Sequence, residues 1–107
     1  MNLTLTKRVK VTGGRFHPVV PDGAVYVGRE SPYLKRHPLH NPFKVSEHGL
    51  EKALALYRQR LLDRPRLMEL AMMLVLVKGK DLACWCPPDQ RCHVDVILDV
   101  VREAIAS

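Results

Sequence analysis

Two helical patterns separate two short strand patterns in the middle of this chain, and this order restricts the fold more than any other feature. One strand is predicted at residues 24–27 and another, buried, in "KDLACWC", residues 80–86. Residues 46–78 between them carry apolar side chains at helical spacing, broken near Pro65. A strand, a helical crossover and a strand of this length form a right-handed unit with parallel strands. We therefore predict an α/β fold, a small Rossmann-like sandwich with a short, mostly parallel sheet.

The other patterns fit a single domain, because 107 residues support one hydrophobic core and not two. Apolar and polar residues alternate over residues 3–11, and Pro21-Asp22-Gly23 predicts a turn, so we expect an N-terminal hairpin. The predicted domain, residues 1–107, contains N-terminal strands (1–28), a basic loop (29–45), two helices (46–78), a strand (80–86) and a C-terminal helix (91–106).

The positive charge of the chain is concentrated in its N-terminal part. Residues 1–45 contain eight Lys or Arg against two acidic residues, which accounts for the whole net charge of +6. Such asymmetry indicates an anionic partner, either nucleic acid or a phosphate-bearing small molecule, although a solvated basic face gives the same pattern. The candidate nucleic-acid or partner-binding residues are Lys35, Arg36 and His37, and a host protein is an alternative partner.

Composition also sets expectations about the compartment. No apolar run approaches the ~20 residues that cross a bilayer, and the first ten residues lack the apolar block of a signal peptide. The three cysteines are odd in number and all lie within residues 84–92, so a disulfide scaffold between distant loops is excluded. We expect a cytoplasmic protein with reduced thiols and no membrane partner.

The cysteine segment "LACWCPPDQRCHVDVIL", residues 82–98, offers three interpretations, of which the first is a zinc site. Cys84, Cys86, Cys92 and His93 are four ligands of suitable type. Two residues of extended strand span about 6.6 Å, so the strand would have to bend between the first two cysteines. Adjacent Cys92 and His93 would also project about 100° apart on a helix. Zinc is therefore an alternative cofactor that the spacing does not favour.

The second interpretation is a reactive thiol. If Cys86 ends a parallel strand and Cys92 opens the next helix, both lie at the carboxyl edge of the sheet, where α/β folds bind ligands. The helix dipole and Arg91 favour anions there and lower the pKa of a thiol. Cys92 and His93 are then candidate catalytic residues, a thiolate and a proton shuttle, with Cys86 as a candidate resolving thiol.

The third interpretation is structural, and it suits Cys84 best because cysteine is among the most often buried residues. Around the same predicted edge, Gly28 and Arg29 follow a strand, and with Asn41 and Arg91 they are the candidate ligand-binding residues. Asn before Pro commonly starts a turn, so fixing the loop is the favoured role of Asn41.

Several motifs together resemble a known family. They are "VYVGR" (25–29), "NPF" (41–43), "YRQRLL" (57–62) and "GKDLACWCPPDQRCHVDVIL" (79–98). They are similar to a family of small uncharacterised proteins from actinobacteria, other bacteria and their phages, catalogued only as a domain of unknown function. The resemblance covers about residues 8–103 and implies no established activity. That family runs almost directly from "VGR" to "GNPF", whereas this chain inserts "ESPYLKRHPLH", so the basic loop is expected to be particular to this protein.

A second uncharacterised α/β family is similar more weakly. Its pattern is a strand ending in Leu-Cys-x-Glu and a helix opening with Cys-His-Arg, which matches Cys84, Cys92 and His93 here. Cys86 stands in place of the acid and Val94 in place of the arginine. That resemblance implies that the Cys-His pair at the helix start is the shared element, and it counts against four-ligand zinc.

Two functions of different classes fit these residues. The first is binding of a phosphate-bearing ligand, a nucleotide or a nucleic-acid end, at the sheet edge, with Cys92 and His93 acting on it. The second is a non-catalytic phage or bacterial interaction module that binds nucleic acid or a host protein, with the cysteine segment as core or a structural zinc site. No phosphate loop, dinucleotide fingerprint or carboxylate pair is present, so whether the protein is an enzyme stays open.

Overall fold

A computed structural model of the protein describes residues 6–14, 16–87 and 89–106. The strands are β1 (Arg8–Lys10), β2 (Ala24–Tyr26) and β3 (Asp81–Cys84). The helices are α1 (Val45–His48), α2 (Leu50–Asp63), α3 (Pro65–Met72) and α4 (His93–Ala106), and a π-helical turn, Met73–Val77, continues α3. The element order is therefore β1, β2, α1, α2, α3, β3, α4.

The three strands form one parallel sheet in the order β1-β3-β2. Arg8 pairs with Leu82 on one side of β3, and Val25 pairs with the same residue on the other side. This arrangement confirms a small α/β fold with a short parallel sheet. Within the described residues β1 and β2 do not pair as the expected N-terminal hairpin, because β3 lies between them. A single antiparallel bridge joins Thr12 and Val19 in the segment that connects them. Strand predictions at residues 1–5 fall outside the described residues.

The position of β3 in the sheet follows from its side chains. Leu82, Ala83 and Cys84 are consecutive and all buried, so both faces of the strand are covered. Near-continuous apolar runs of this kind are typical of central strands in parallel sheets. No residue of β1 or β2 is fully buried, as expected for the two edges.

The crossover from β2 to β3 is divided by two local backbone signals. Gly49 has φ 79° and ψ 157°, a conformation that glycine adopts without strain, and it separates α1 from α2. Arg64 is extended at φ −123° and ψ 94°, because the residue before a proline disfavours the helical region. Pro65 then occupies the first turn of α3, where its missing N–H needs no partner.

The core lies where the helices meet the sheet. Helix α4 contacts α2, α3 and β3, and it buries an almost continuous face. Tyr57 of α2 is fully buried, and its hydroxyl donates a hydrogen bond to the Leu39 carbonyl at 2.6 Å. That bond ties the loop between β2 and α1 to the core. None of the helices in the described ranges has the length and apolar character that spanning a membrane requires.

Candidate functional site

A pocket of about 260 Å³ lies at the carboxyl ends of β2 and β3. Its wall is formed by the segment after β2, the bend after β3 and the loop leading into α4, with side chains from α1 and α2. These segments meet because parallel strands end at the same edge of a sheet. The predicted site residues that line the pocket are Gly28, Arg29, Asn41, Cys86, Arg91, Cys92 and His93.

The three cysteine sulfurs form a cluster at one side of this pocket. The Sγ atoms of Cys84, Cys86 and Cys92 all lie within 4.8 Å of one another, and those of Cys84 and Cys92 are 3.3 Å apart. All three thiols are free. The strand β3 ends at Cys84 and the chain bends over residues 85–86, so the spacing that applies to an extended strand does not apply here. The three sulfurs are therefore within reach of a single metal ion.

Cys92 immediately precedes α4 and takes part in capping it. Its Sγ accepts a hydrogen bond from the Val94 N–H at 3.4 Å, and its own N–H donates to Asp95 Oδ2 at 2.9 Å. This is the reciprocal pattern of a capping box, with a thiol and an aspartate in the usual positions of a hydroxyl and a glutamate. Two backbone donors that could bind an anion at this helix start are thus engaged within the protein.

Arg8 of β1 supports this arrangement from the neighbouring strand. Its Nη1 donates to Asp95 Oδ2 at 2.9 Å and to the Gln90 carbonyl at 2.7 Å, and its Nη2 donates to the Pro87 carbonyl at 3.1 Å. The same side chain interacts electrostatically with Cys92. Neither Arg8 nor Asp95 was predicted to be a site residue. The spacing of three residues from Cys92 to Asp95 is that of a capping box, so the role of Asp95 could have been predicted from the sequence. No local pattern distinguishes Arg8.

The clustered thiols differ in acidity. Hydrogen bonds from the thiols of Cys84 and Cys86 hold the pKa of Cys92 well below its ordinary value, because they stabilise its thiolate. The hydrogen bonds to Cys86 and Cys92, together with burial, raise the pKa of Cys84. The negative charge of the cluster therefore resides first on Cys92, the cysteine at the start of α4.

His93 is buried beside Cys92 and helps to lower the pKa of that thiol. Its Nε2 is 2.7 Å from the Val27 carbonyl oxygen, and because a carbonyl only accepts, Nε2 carries the proton and donates it. The ring also stands edge-on to Tyr57, with centroids 5.4 Å apart. The metal-compatible group in the described part of the chain contains the three cysteines without His93. The four-ligand alternative is thus reduced to three sulfurs.

Arg29 and Asn41 shape the loop behind the pocket. Arg29 donates from Nε to the Asn41 carbonyl at 2.7 Å and from Nη2 to the Phe43 carbonyl at 3.0 Å. Asn41 Oδ1 accepts the Phe43 N–H at 2.8 Å, which is a turn-fixing bond. A side chain at Gly28 would collide with the Tyr26 ring, so this position requires glycine for space. These residues line the pocket while fixing its loop.

Lys35, Arg36 and His37 of the basic loop do not line this pocket. Lys35 and Arg36 are exposed. His37 is half-buried. Its ring Nδ1 accepts the Leu39 N–H at 3.1 Å, and its backbone N–H donates to the Gly28 carbonyl at 3.2 Å. Burial lowers the pKa of His37, and the nearby His40 adds to this effect. His37 therefore anchors the loop, and Lys35 and Arg36 carry its exposed charge.

A family model described as a domain of unknown function, DUF4326, matches residues 13–103. The chain belongs to the DUF4326 family. Neither a curated protein nor a solved structure is significantly similar to it. The DUF4326 match spans the pocket and all three cysteines, whereas Arg8 precedes the matched residues.

One further pocket residue of this DUF4326 protein was not marked by the sequence. The Oγ atom of Ser31 is buried, and within the described residues it has no hydrogen-bond partner. Buried hydroxyl groups normally have one. Ser31 therefore lines the pocket and carries a buried hydroxyl whose hydrogen-bonding capacity is unused within the described residues.

Proposed function

We propose that this protein binds a small phosphate-bearing ligand, a nucleotide or a nucleic-acid end, in the carboxyl-edge pocket, with the cysteine cluster as its chemically active wall. The observation that carries the proposal is the convergence of Arg91, Ser31 and the Cys92-His93 pair around one cavity of about 260 Å³. The proposed position of the ligand is the one found in Rossmann-like proteins, whose ligands bind outside the carboxyl ends of the strands.

The walls of the pocket suit a ligand with an apolar or aromatic part. Tyr26 and Trp85 line it together with Val45, Leu50 and Leu54. Aromatic side chains present flat surfaces on which a nucleobase stacks, at about 1–3 kcal/mol per base. The apolar wall therefore favours a nucleotide over inorganic phosphate alone.

The polar groups of the pocket favour a phosphate. Arg91 is exposed at the wall and pairs only loosely with Asp99, at 3.4 Å. Ser31 Oγ supplies an unpartnered hydroxyl within the described residues. A phosphate oxygen accepts hydrogen bonds from both types of group. We place the phosphate at these two side chains, because the helix-start donors of Cys92 and Val94 are already engaged.

Trp85 provides a direct test, since it is the only tryptophan and it lines the pocket. Fluorescence titrations with nucleoside monophosphates and with inorganic phosphate should show saturable quenching by at least one nucleotide. Arg91→Gln should weaken that binding by about tenfold, the effect of one charge-assisted hydrogen bond. The matched control Arg66→Gln, at an exposed position of α3, should leave it unchanged. No quenching by any nucleotide, or equal effects of both variants, would overturn the proposal.

A second candidate function is nucleic-acid binding by the basic loop. The observation that favours it is an exposed aromatic pair, Phe16 and Tyr33, whose ring centroids lie 6.4 Å apart. Tyr33 lies on the same loop as Lys35 and Arg36. Exposed aromatic rings beside cationic side chains are typical of single-strand binding surfaces.

Single-stranded oligonucleotide binding at rising salt tests this second function. Affinity should fall steeply with salt, because phosphate contacts release counterions. The double substitution Phe16→Ala with Tyr33→Ala should reduce it, and Leu62→Ala, another exposed apolar residue, should not. Absence of binding at low salt would remove this candidate.

A further inference from the structure

The cysteine cluster gathers three soft ligands from one nine-residue segment that passes from a strand through a bend to a helix start. Cys84 is the last residue of β3, Cys86 lies in the bend that follows, and Cys92 precedes α4. In a tetrahedral zinc site with Zn–S bonds of about 2.3 Å, two sulfurs stand about 3.8 Å apart. The Cys84–Cys92 distance of 3.3 Å and the 4.8 Å limit for all three pairs bracket that value. One ion can therefore contact all three sulfurs if the distances between them change by no more than about 1 Å.

The surroundings of the cluster suit bound thiolates. The Val94 N–H donates to Cys92 Sγ, and N–H groups of this kind hold and stabilise ligating sulfurs. Three thiolates and one divalent cation carry a net charge of −1. Arg8 supplies a neighbouring positive charge while its guanidinium holds Pro87, Gln90 and Asp95 in place.

The cluster also has a distinct open side. Cys86 and Cys92 line the pocket, whereas Cys84 is buried at 2% exposure and does not. His93 is bonded through Nε2 to the Val27 carbonyl, and no fourth ligand joins the group within the described residues. Three protein ligands with one position left for water or substrate is the pattern of catalytic zinc sites, whereas structural sites are closed by four.

We propose that Cys84, Cys86 and Cys92 bind a single divalent cation of the zinc class, whose fourth coordination position opens into the pocket. The binding of the ion stands on the sulfur geometry alone. The role of the open position rests on the proposed function, since it is there that the pocket ligand would meet the metal as a Lewis acid.

Cobalt substitution tests the metal site directly. Reduced protein, stripped with a chelator under anaerobic conditions, should bind one equivalent of Co²⁺ and show thiolate-to-metal charge-transfer absorption with tetrahedral visible bands. One equivalent of Zn²⁺ should displace it. Cys86→Ser should weaken binding by more than about 100-fold, because one of three anchors is lost. Cys86 is half-buried, so this variant avoids the packing role of Cys84, and circular dichroism checks its fold.

His93→Gln distinguishes three protein ligands from four. It should retain one equivalent of Co²⁺ and the same charge-transfer intensity, and His48→Gln on α1 serves as its control. Imidazole, used as a probe of the open position, should shift the visible bands of the Co²⁺ protein. Failure to bind any metal, or formation of a Cys84–Cys92 disulfide that no metal prevents, would contradict the proposal that the three cysteines bind an ion. Two results would contradict an open fourth coordination position. One is metal binding without an imidazole shift of the visible bands, and the other is a change of the Co²⁺ spectrum in His93→Gln that indicates the loss of a ligand.

The two proposals fail separately in these experiments. If nucleotides quench Trp85 fluorescence in metal-free protein and Co²⁺ does not bind, the proposed ligand binding is supported and the proposed metal site is contradicted. Co²⁺ binding with an imidazole shift but no nucleotide quenching would keep the open metal site and remove the phosphate-bearing ligand.

Discussion

The Sγ atoms of Cys84 and Cys92 lie 3.3 Å apart, although the first ends a strand and the second precedes a helix. Arg8, on the adjacent strand, donates hydrogen bonds to the carbonyls of Pro87 and Gln90 in the loop between the two cysteines. The cluster thus spans a strand end, a bend and a helix start, and its properties should respond to changes in each of them.

Removing the Arg8 guanidinium should destabilise the fold and loosen the cluster. Arg8→Gln is expected to lower the free energy of unfolding by about 1–3 kcal/mol, because a partly buried Asp95 carboxylate and two carbonyls lose a charged donor. Urea unfolding of the reduced protein measures this. Arg58→Gln is the control, since its pair with Glu103 is largely exposed and should contribute less than about 1 kcal/mol. Equal losses in both variants would contradict the special role of Arg8.

The hydroxyl of Tyr57 should contribute measurably to stability. Tyr57→Phe leaves the buried Leu39 carbonyl without its donor, and we expect a loss of about 1–2 kcal/mol in the free energy of unfolding. Tyr33→Phe changes an exposed hydroxyl and should have almost no effect. The comparison is made by thermal and urea denaturation. An unchanged Tyr57→Phe protein would mean that the loop between β2 and α1 is not tied to the core through this bond.

Acidification should destabilise the protein through His37. Burial, then the nearby charges of His40 and His93, lower the pKa of His37 below 6.5, so the unfolded chain binds a proton before the folded protein does. The stabilising contribution of neutral His37 is complete above pH 6.5 and is lost as pH falls through the lowered value. Protonation also abolishes the acceptor at Nδ1 that holds the Leu39 N–H.

Urea midpoints measured between pH 7.5 and pH 5 should therefore decrease for the unmodified chain and decrease less for His37→Asn. The exposed His17→Asn variant should keep the original slope. An identical slope in all three proteins would show that other groups control the acid response.

Bound zinc should protect the thiols from chemical modification. In the metal-free reduced protein, iodoacetamide should modify Cys92, whose pKa is lowered, and Cys86, which is half-buried; both line the pocket. One equivalent of Zn²⁺ should slow the modification of all three cysteines, and a chelator should restore it. Peptide mass spectrometry reports each site. Rapid alkylation of Cys92 at saturating zinc would contradict its role as a ligand.

Part of this architecture is predictable from the sequence for a simple reason. The two helical patterns between β2 and β3 require a crossover, and a crossover makes those strands parallel. Parallel strands share a carboxyl edge, so Gly28 and Cys92 were expected near one another although 64 positions separate them in the sequence. Both line the pocket.

Other features have no local signal. The bend at residues 85–86 follows an apolar run whose pattern predicts a continuous strand. The short distance between the sulfurs of Cys84 and Cys86 was therefore visible only in the structure. The bond between Arg8 and Asp95 joins residues far apart in sequence, and nothing around Arg8 distinguishes it from its basic neighbours. The strand order was missed because β1 and β2 are consecutive, and consecutive strands most often pair directly.

The central position of β3 also determines when the molecule can fold during synthesis. Both edge strands precede β3 in the chain, and each pairs only with it among the described strands. A nascent chain that ends before residue 81 therefore exposes two strand edges with no sheet to join, which is the state most open to aggregation. The ribosome must release residues 81–84 before the sheet can close, and α4 follows at once to cover it. Sheet, pocket and cysteine cluster then form together, once residues 81–106 have joined the two earlier strands.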